Sequence, residues 1–124
     1  MLFYGYLKKI GINMKIANLL ETKDNLEDVY FNIDFINHIE SFMTKLRSSP
    51  NIKIRNDFSP IIAYKYEGDY FGLLDYLNIE KKYHYIVLRF NGYVSSSDYK
   101  GNDQYVLVPD INEIENIKNI FLTQ

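Results

Sequence analysis

Residues 82–94 read Lys82-Tyr83-His84-Tyr85-Ile86-Val87-Leu88-Arg89-Phe90-Asn91-Gly92-Tyr93-Val94, a run rich in aromatic and β-branched side chains. Such residues suit a pleated, half-buried surface, so the run is read as a β-strand. At a period of two, His84, Ile86, Leu88 and Phe90 share one face. Tyr83, Tyr85, Val87 and Arg89 share the other. Working outward, the turn-rich segment Ser95–Asp103 leads to a second strand at Gln104–Val108. The two read as a hairpin with a long polar loop. Ile61–Glu67, bounded by Pro60 and Gly68, reads as a third strand. Ile52–Arg55 alternates apolar and basic residues and reads as a short edge strand, where charge resists unwanted pairing.

Helical signals surround these runs. Phe35, Ile36, Ile39, Phe42, Met43 and Leu46 form an apolar stripe over about 34–48. Asp34 sits at its start, Lys45 and Arg47 at its end, and Pro50 stops it. A second helix is predicted over about 110–121, with Asp110-x-x-Glu113 fitting a capping box and Ile111, Ile114, Ile117, Ile120 and Phe121 buried. Asp69 is placed as the cap of a shorter helix over 69–78. A strand is read near 2–8 and a helix near 14–22; residues 1–13 are a candidate dispensable extension, with Met14 an alternative start. The sum is one α+β domain over 1–124, a mainly antiparallel sheet of four or five strands packed against two or three helices.

The chain has 124 residues, 47% of them hydrophobic and 24% charged, which is ordinary for a single globular domain. The formal charge is −2, which lacks the basic excess of a dedicated nucleic-acid binder. Residues 1–66 carry nine basic and seven acidic groups, whereas residues 67–124 carry five basic and nine acidic. An acidic half favours a basic partner. Cysteine is absent, so disulfides, thiolate nucleophiles and Cys-based zinc sites are excluded. No signal-peptide pattern opens the chain, and no run approaches the ~18 apolar residues of a membrane span. The expectation is a soluble, unprocessed, cytoplasmic protein.

Catalytic constellations are sparse. The two histidines, His38 and His84, are far apart in sequence. His38 is read on the solvated face of the 34–48 helix, and His84 at the edge of the core, where it is the one candidate for acid–base work. No phosphate-binding glycine loop, nucleophile elbow or metal-ligand spacing is present, so no cofactor is implied. Glu67, Asp69 and Asp75 cluster, yet a glycosidase needs a sugar cleft between its carboxylates, and 124 residues leave little room for one. The face Tyr83, Tyr85, Val87 and Arg89 is a candidate base-stacking surface for RNA, although the usual aromatic-glycine signature is missing.

Twelve tyrosines and no tryptophan are the unusual feature. Through 64–105 they interleave with carboxylates: Tyr64, Tyr66, Glu67, Asp69, Tyr70 and Asp75, then Asp98, Tyr99 and Asp103. Tyrosine offers a large apolar face with a polar tip, which suits interfaces. In this acidic, cysteine-free character, with Tyr and Asp clustered in Tyr64–Tyr76 and Asp98–Tyr105, the chain resembles the small immunity proteins of bacterial contact-dependent growth inhibition systems. That resemblance implies a non-enzymatic inhibitor whose partner is a cognate toxin domain, often a basic nuclease, blocked by covering its active site. The nine residues just named would then form the partner-binding face. An inhibitor or regulatory binding protein of phage or plasmid origin shares this composition and is the nearest rival. The open edge at Ile52–Arg55 leaves room for a homo-oligomer.

Overall fold

The computed structural model describes residues 29–123. The strand read near 2–8, the helix near 14–22 and the extension 1–13 lie outside them. The expected four- or five-stranded sheet is not formed. Among the described residues there are six α-helices and one small antiparallel ribbon of two strands. The helices are α1 (Ile33–Glu40), α2 (Met43–Arg47), α3 (Pro60–Lys65), α4 (Tyr70–Tyr76), α5 (His84–Phe90) and α6 (Ile111–Leu122). The strands are β1 (Lys53–Arg55) and β2 (Val106–Val108), paired with Ile54 opposite Leu107.

The stretch 82–94 is a helix and not a strand. Its apolar run satisfies both periods, because Tyr83, Ile86, Val87 and Phe90 also fall at i, i+3, i+4 and i+7. His84, Ile86, Val87, Leu88 and Phe90 are all buried, so α5 is covered on nearly every side, as a central helix must be. What decides between the periods is the ending. Gly92 takes φ +88°, its N–H donates to the Arg89 carbonyl at 3.0 Å, and the Tyr93 N–H donates to the Leu88 carbonyl at 3.1 Å. This is the Schellman closure of a helix on a left-handed residue. A strand through Gly92 would leave those carbonyls without partners.

The same logic corrects Ile61–Glu67. Ser59 Oγ accepts the Ile62 N–H at 3.2 Å and Pro60 occupies the first helical turn, so the segment opens as α3. In α4, Asp69 caps the Gly72 N–H as expected, and Asn78 at φ 63° closes the helix. The 34–48 stripe is real but broken. Asn32 caps α1 through the Asp34 and Phe35 N–H groups, and Ser41-Phe42 separates α1 from α2. Phe35, Ile39, Met43 and Leu46 are still buried together, each stabilising the fold by ~1.5–3 kcal/mol. In α6, Asp110 caps the Asn112 N–H at 3.0 Å, while Glu113 pairs with Lys45 instead of closing a reciprocal box.

Parts of Ile52–Arg55 and Gln104–Val108 are strands, paired with each other and not with 82–94. The outer edge of β2 is closed by a side chain. Asn91 at the end of α5 donates to the Leu107 carbonyl and accepts the Leu107 N–H, both at 2.9 Å, and also donates to the Val87 carbonyl at 2.7 Å. One amide thus stands where a third strand would be. The buried side chains form one cluster that draws on all six helices and β2.

Candidate functional site

The two segments singled out for partner binding meet in space. The Gly68 N–H donates to the Tyr99 carbonyl at 2.7 Å, and the Phe71 N–H to Ser96 Oγ at 3.0 Å. Gly101, at φ +81°, lies so close to α3 that a Cβ there would sit 3.0 Å from the Ala63 carbonyl oxygen and 3.2 Å from the Tyr64 Cα. Only glycine fits that approach. The 95–103 loop is therefore laid directly on α3 and the start of α4.

Within this region the named residues divide by burial. Tyr70 and Tyr99 are each 1% exposed and belong to the core. With Tyr93 they form a cluster whose ring centroids are 4.9, 5.2 and 6.0 Å apart. Tyr99 Oη donates to the Asp103 carbonyl at 2.7 Å, and Tyr93 Oη to the Asp103 carboxylate at 2.5 Å. Burial, with the Asp103 charge, pushes the Tyr99 phenol up to about 12, and burial likewise raises Tyr70 and Tyr93. Asp103 is half-buried and committed inward. Asp98 is exposed but accepts the Ser95 and Val94 N–H groups at 2.9 and 3.1 Å, which hold its carboxyl below the usual range. The outward set is Tyr64, Glu67, Asp69 and Asp75, with Tyr66 half-buried against Tyr76 at 5.9 Å. Tyr76 and Tyr105, not among the nine, are 46% and 48% exposed.

The proposed base-stacking face does not exist in a helix. Tyr83 and Val87 are buried, and Arg89 is held by Glu40 at 2.6 Å and the Tyr93 carbonyl at 2.7 Å. His84 opens α5, where its Nε2 donates to the Ile79 carbonyl at 2.8 Å and its ring stacks on Phe71 at 5.8 Å. His38 is half-buried and does not stand on a fully solvated face. It lies between the rings of Phe42 and Phe121, at 5.0 and 5.3 Å, with a buried Nε2 that has no hydrogen-bond partner among the described residues. The serines of the 95–97 loop cap their own turn with Asp98.

A cleft that sequence reasoning missed lies beside α4. It measures about 560 Å³, within the range of ~300–1,000 Å³ seen for ligand sites. Tyr30, Phe31, Ile36, Phe71, His84 and Tyr85 supply its largely aromatic wall, and the exposed Asp75–Lys81 ion pair, at 3.5 Å, stands at its lip. These residues come from four parts of the chain, so no local pattern announces the cleft. Its back wall is braced. Tyr30 and Tyr83 both donate to Glu115 Oε2, the latter at 2.6 Å, and Lys118 meets Oε1 at 2.8 Å. Burial opposes ionisation of Glu115, but the Lys118, Tyr30 and Tyr83 hydrogen bonds outweigh it and hold the carboxyl at about 2.

No group of three or more metal-ligating side chains occurs among the described residues, and none of their helices is long and apolar enough to cross a membrane. Comparison of the chain with known protein families, with curated proteins and with solved structures returns no match.

Proposed function

We propose that this chain is a binding protein that neutralises a cationic protein partner, and specifically an immunity protein for a co-encoded bacterial toxin domain, acting in the cytoplasm of the cell that makes it. The observation that carries the reading is the segment from Tyr64 to Tyr76, which runs from the end of α3 through α4. There Glu67, Asp69 and Asp75 are exposed beside Tyr64 (61% exposed) and Tyr76 (46%). Exposed carboxylates steer a basic partner and raise its association rate. Tyrosines among them provide contact area that desolvates at low entropy cost. A basic nuclease, whose phosphate-binding lysines and arginines surround its active site, complements such a face and is blocked when the face covers it.

The test is to express the chain with the reading frame immediately upstream and purify at moderate salt. A stoichiometric complex, with the upstream product toxic alone and growth rescued by this chain, is the expected result. A chain that purifies without that product and restores no growth contradicts the reading. Glu67→Lys and Asp75→Lys are the informative variants, each expected to slow association about tenfold, an electrostatic steering effect that fades as salt rises.

A further inference from the structure

We infer that the free edge of β1 is a second interaction surface, where an extended segment of a partner protein adds a third strand and sets a carboxylate opposite Lys53. The inference uses none of the residues of the Tyr64–Tyr76 face and goes beyond the reading above. Its first ground is the direction of the backbone. The Leu107 N–H and carbonyl are both taken by Asn91, so they point away from β1. Ile54, directly opposite Leu107, therefore sits in a non-hydrogen-bonded pair, and its own N–H and carbonyl point away from β2. Among the described residues nothing meets them. Ile52 and Asn56, next in the same outward row, likewise make no backbone hydrogen bond there. Ile54 is 61% exposed, so the edge lies open. The ribbon thus has one edge closed by Asn91 and one that offers a row of donors and acceptors. Such a row is complementary to another extended backbone.

Charge selects among extended chains. Lys53 and Arg55 flank Ile54 and share the opposite face of the strand. Arg55 is matched by Asp57 in a two-pronged pair, with both contacts at 2.9 Å. Lys53 is exposed and makes no ion pair among the described residues, which leaves one free cation beside the free backbone groups. On an added antiparallel strand, the residue paired with Ile54 shares its face, and the neighbours of that residue lie opposite Lys53 and Arg55. A carboxylate there completes a cross-strand pair, whereas a basic residue is repelled. The same rule disfavours a second copy of this chain. Symmetric pairing about Ile54 sets Lys53 of each copy opposite Arg55 of the other.

The test uses the full chain, isotope-labelled, and two blocked peptides, Thr-Glu-Val-Glu-Thr and Thr-Lys-Val-Lys-Thr, each titrated and followed by NMR. The acidic peptide is expected to shift the amides of 52–56 and to slow exchange of the Ile54 N–H with solvent. The basic peptide binds at least fivefold more weakly, and Lys53→Glu reverses that preference. Ile54→Pro removes the outward N–H without breaking a β1–β2 bond, since an edge position tolerates proline, and is expected to abolish the response at 52–56. If that variant does not fold, Lys53→Glu decides alone. No shift at 52–56 with either peptide overturns the inference, and so does equal affinity for the two. Self-association of the chain that broadens 52–56 assigns the edge to a second copy and also overturns it. Glu67→Lys with Asp75→Lys leaves peptide affinity within twofold, so this inference and the immunity reading fail separately.

Discussion

Asp98 and Tyr70 show how far a residue's type is from its task. Asp98 looks like a free surface charge, yet it holds the Val94 and Ser95 N–H groups. Asp98→Lys is therefore expected to loosen the 94–99 turn and lower the urea midpoint, where a purely steering charge would leave it unchanged. Its carboxyl is depressed in the fold, so its contribution is present above the unfolded pKa and lost as pH falls through the folded one. Tyr70 carries a buried hydroxyl with no hydrogen-bond partner among the described residues. Tyr70→Phe is expected to be neutral or to stabilise by up to ~1 kcal/mol, whereas Tyr99→Phe, which loses the bond to the Asp103 carbonyl, costs about 1 kcal/mol. Denaturant titration of both separates them. Glu115 gives the acid response. Its carboxyl falls from 4.5 to about 2 on folding. Stability is fully present above about pH 4.5 and lost as pH drops toward 2. With the group about a third exposed, screening discounts the effect to on the order of 2 kcal/mol. Glu115→Gln should flatten the stability profile in that window, and a profile that keeps its slope contradicts the assignment.

At the scale of elements, capping residues carried more information than apolar runs. Asp69 and Asp110 mark their helix starts where the sequence places them, and the 34–48 stripe lies on the core side of α1 and α2. The strand readings of 61–67 and 82–94 failed because a nearly continuous apolar run fits a buried strand and a buried helix equally. The residues that break the tie are Ser59-Pro60 at one end and Asn91-Gly92 at the other. Gly92 supplies the measurable consequence. Nothing lies within 4 Å of a Cβ built there, so Gly92→Ala is penalised by its φ of +88° alone. The expected loss is ~1 kcal/mol by urea denaturation, and no loss would mean that α5 does not end in a left-handed residue. The candidate site was legible only as two Tyr- and Asp-rich segments. Which tyrosines face outward was not, because tyrosine suits core and interface alike. The cleft was invisible because it draws its wall from α1, α4, α5 and the turn at Val29–Phe31.

At the scale of the whole molecule, the acidic half of the chain supplies the exposed carboxylates Glu67, Asp69 and Asp75, while its most conspicuous aromatics, Tyr70, Tyr93 and Tyr99, hold the 95–103 loop in place from within. The proposed capture of a basic protein rests on these exposed carboxylates, which would act by raising the association rate. The most direct measurement is a calorimetric titration of the full chain with the product of the upstream reading frame, for the unmodified protein and for Glu67→Lys with Asp75→Lys. Tight one-to-one binding that weakens at least tenfold in the doubly reversed variant, while its urea midpoint stays unchanged, is the predicted result. Absence of binding, or an affinity indifferent to both reversals, contradicts it.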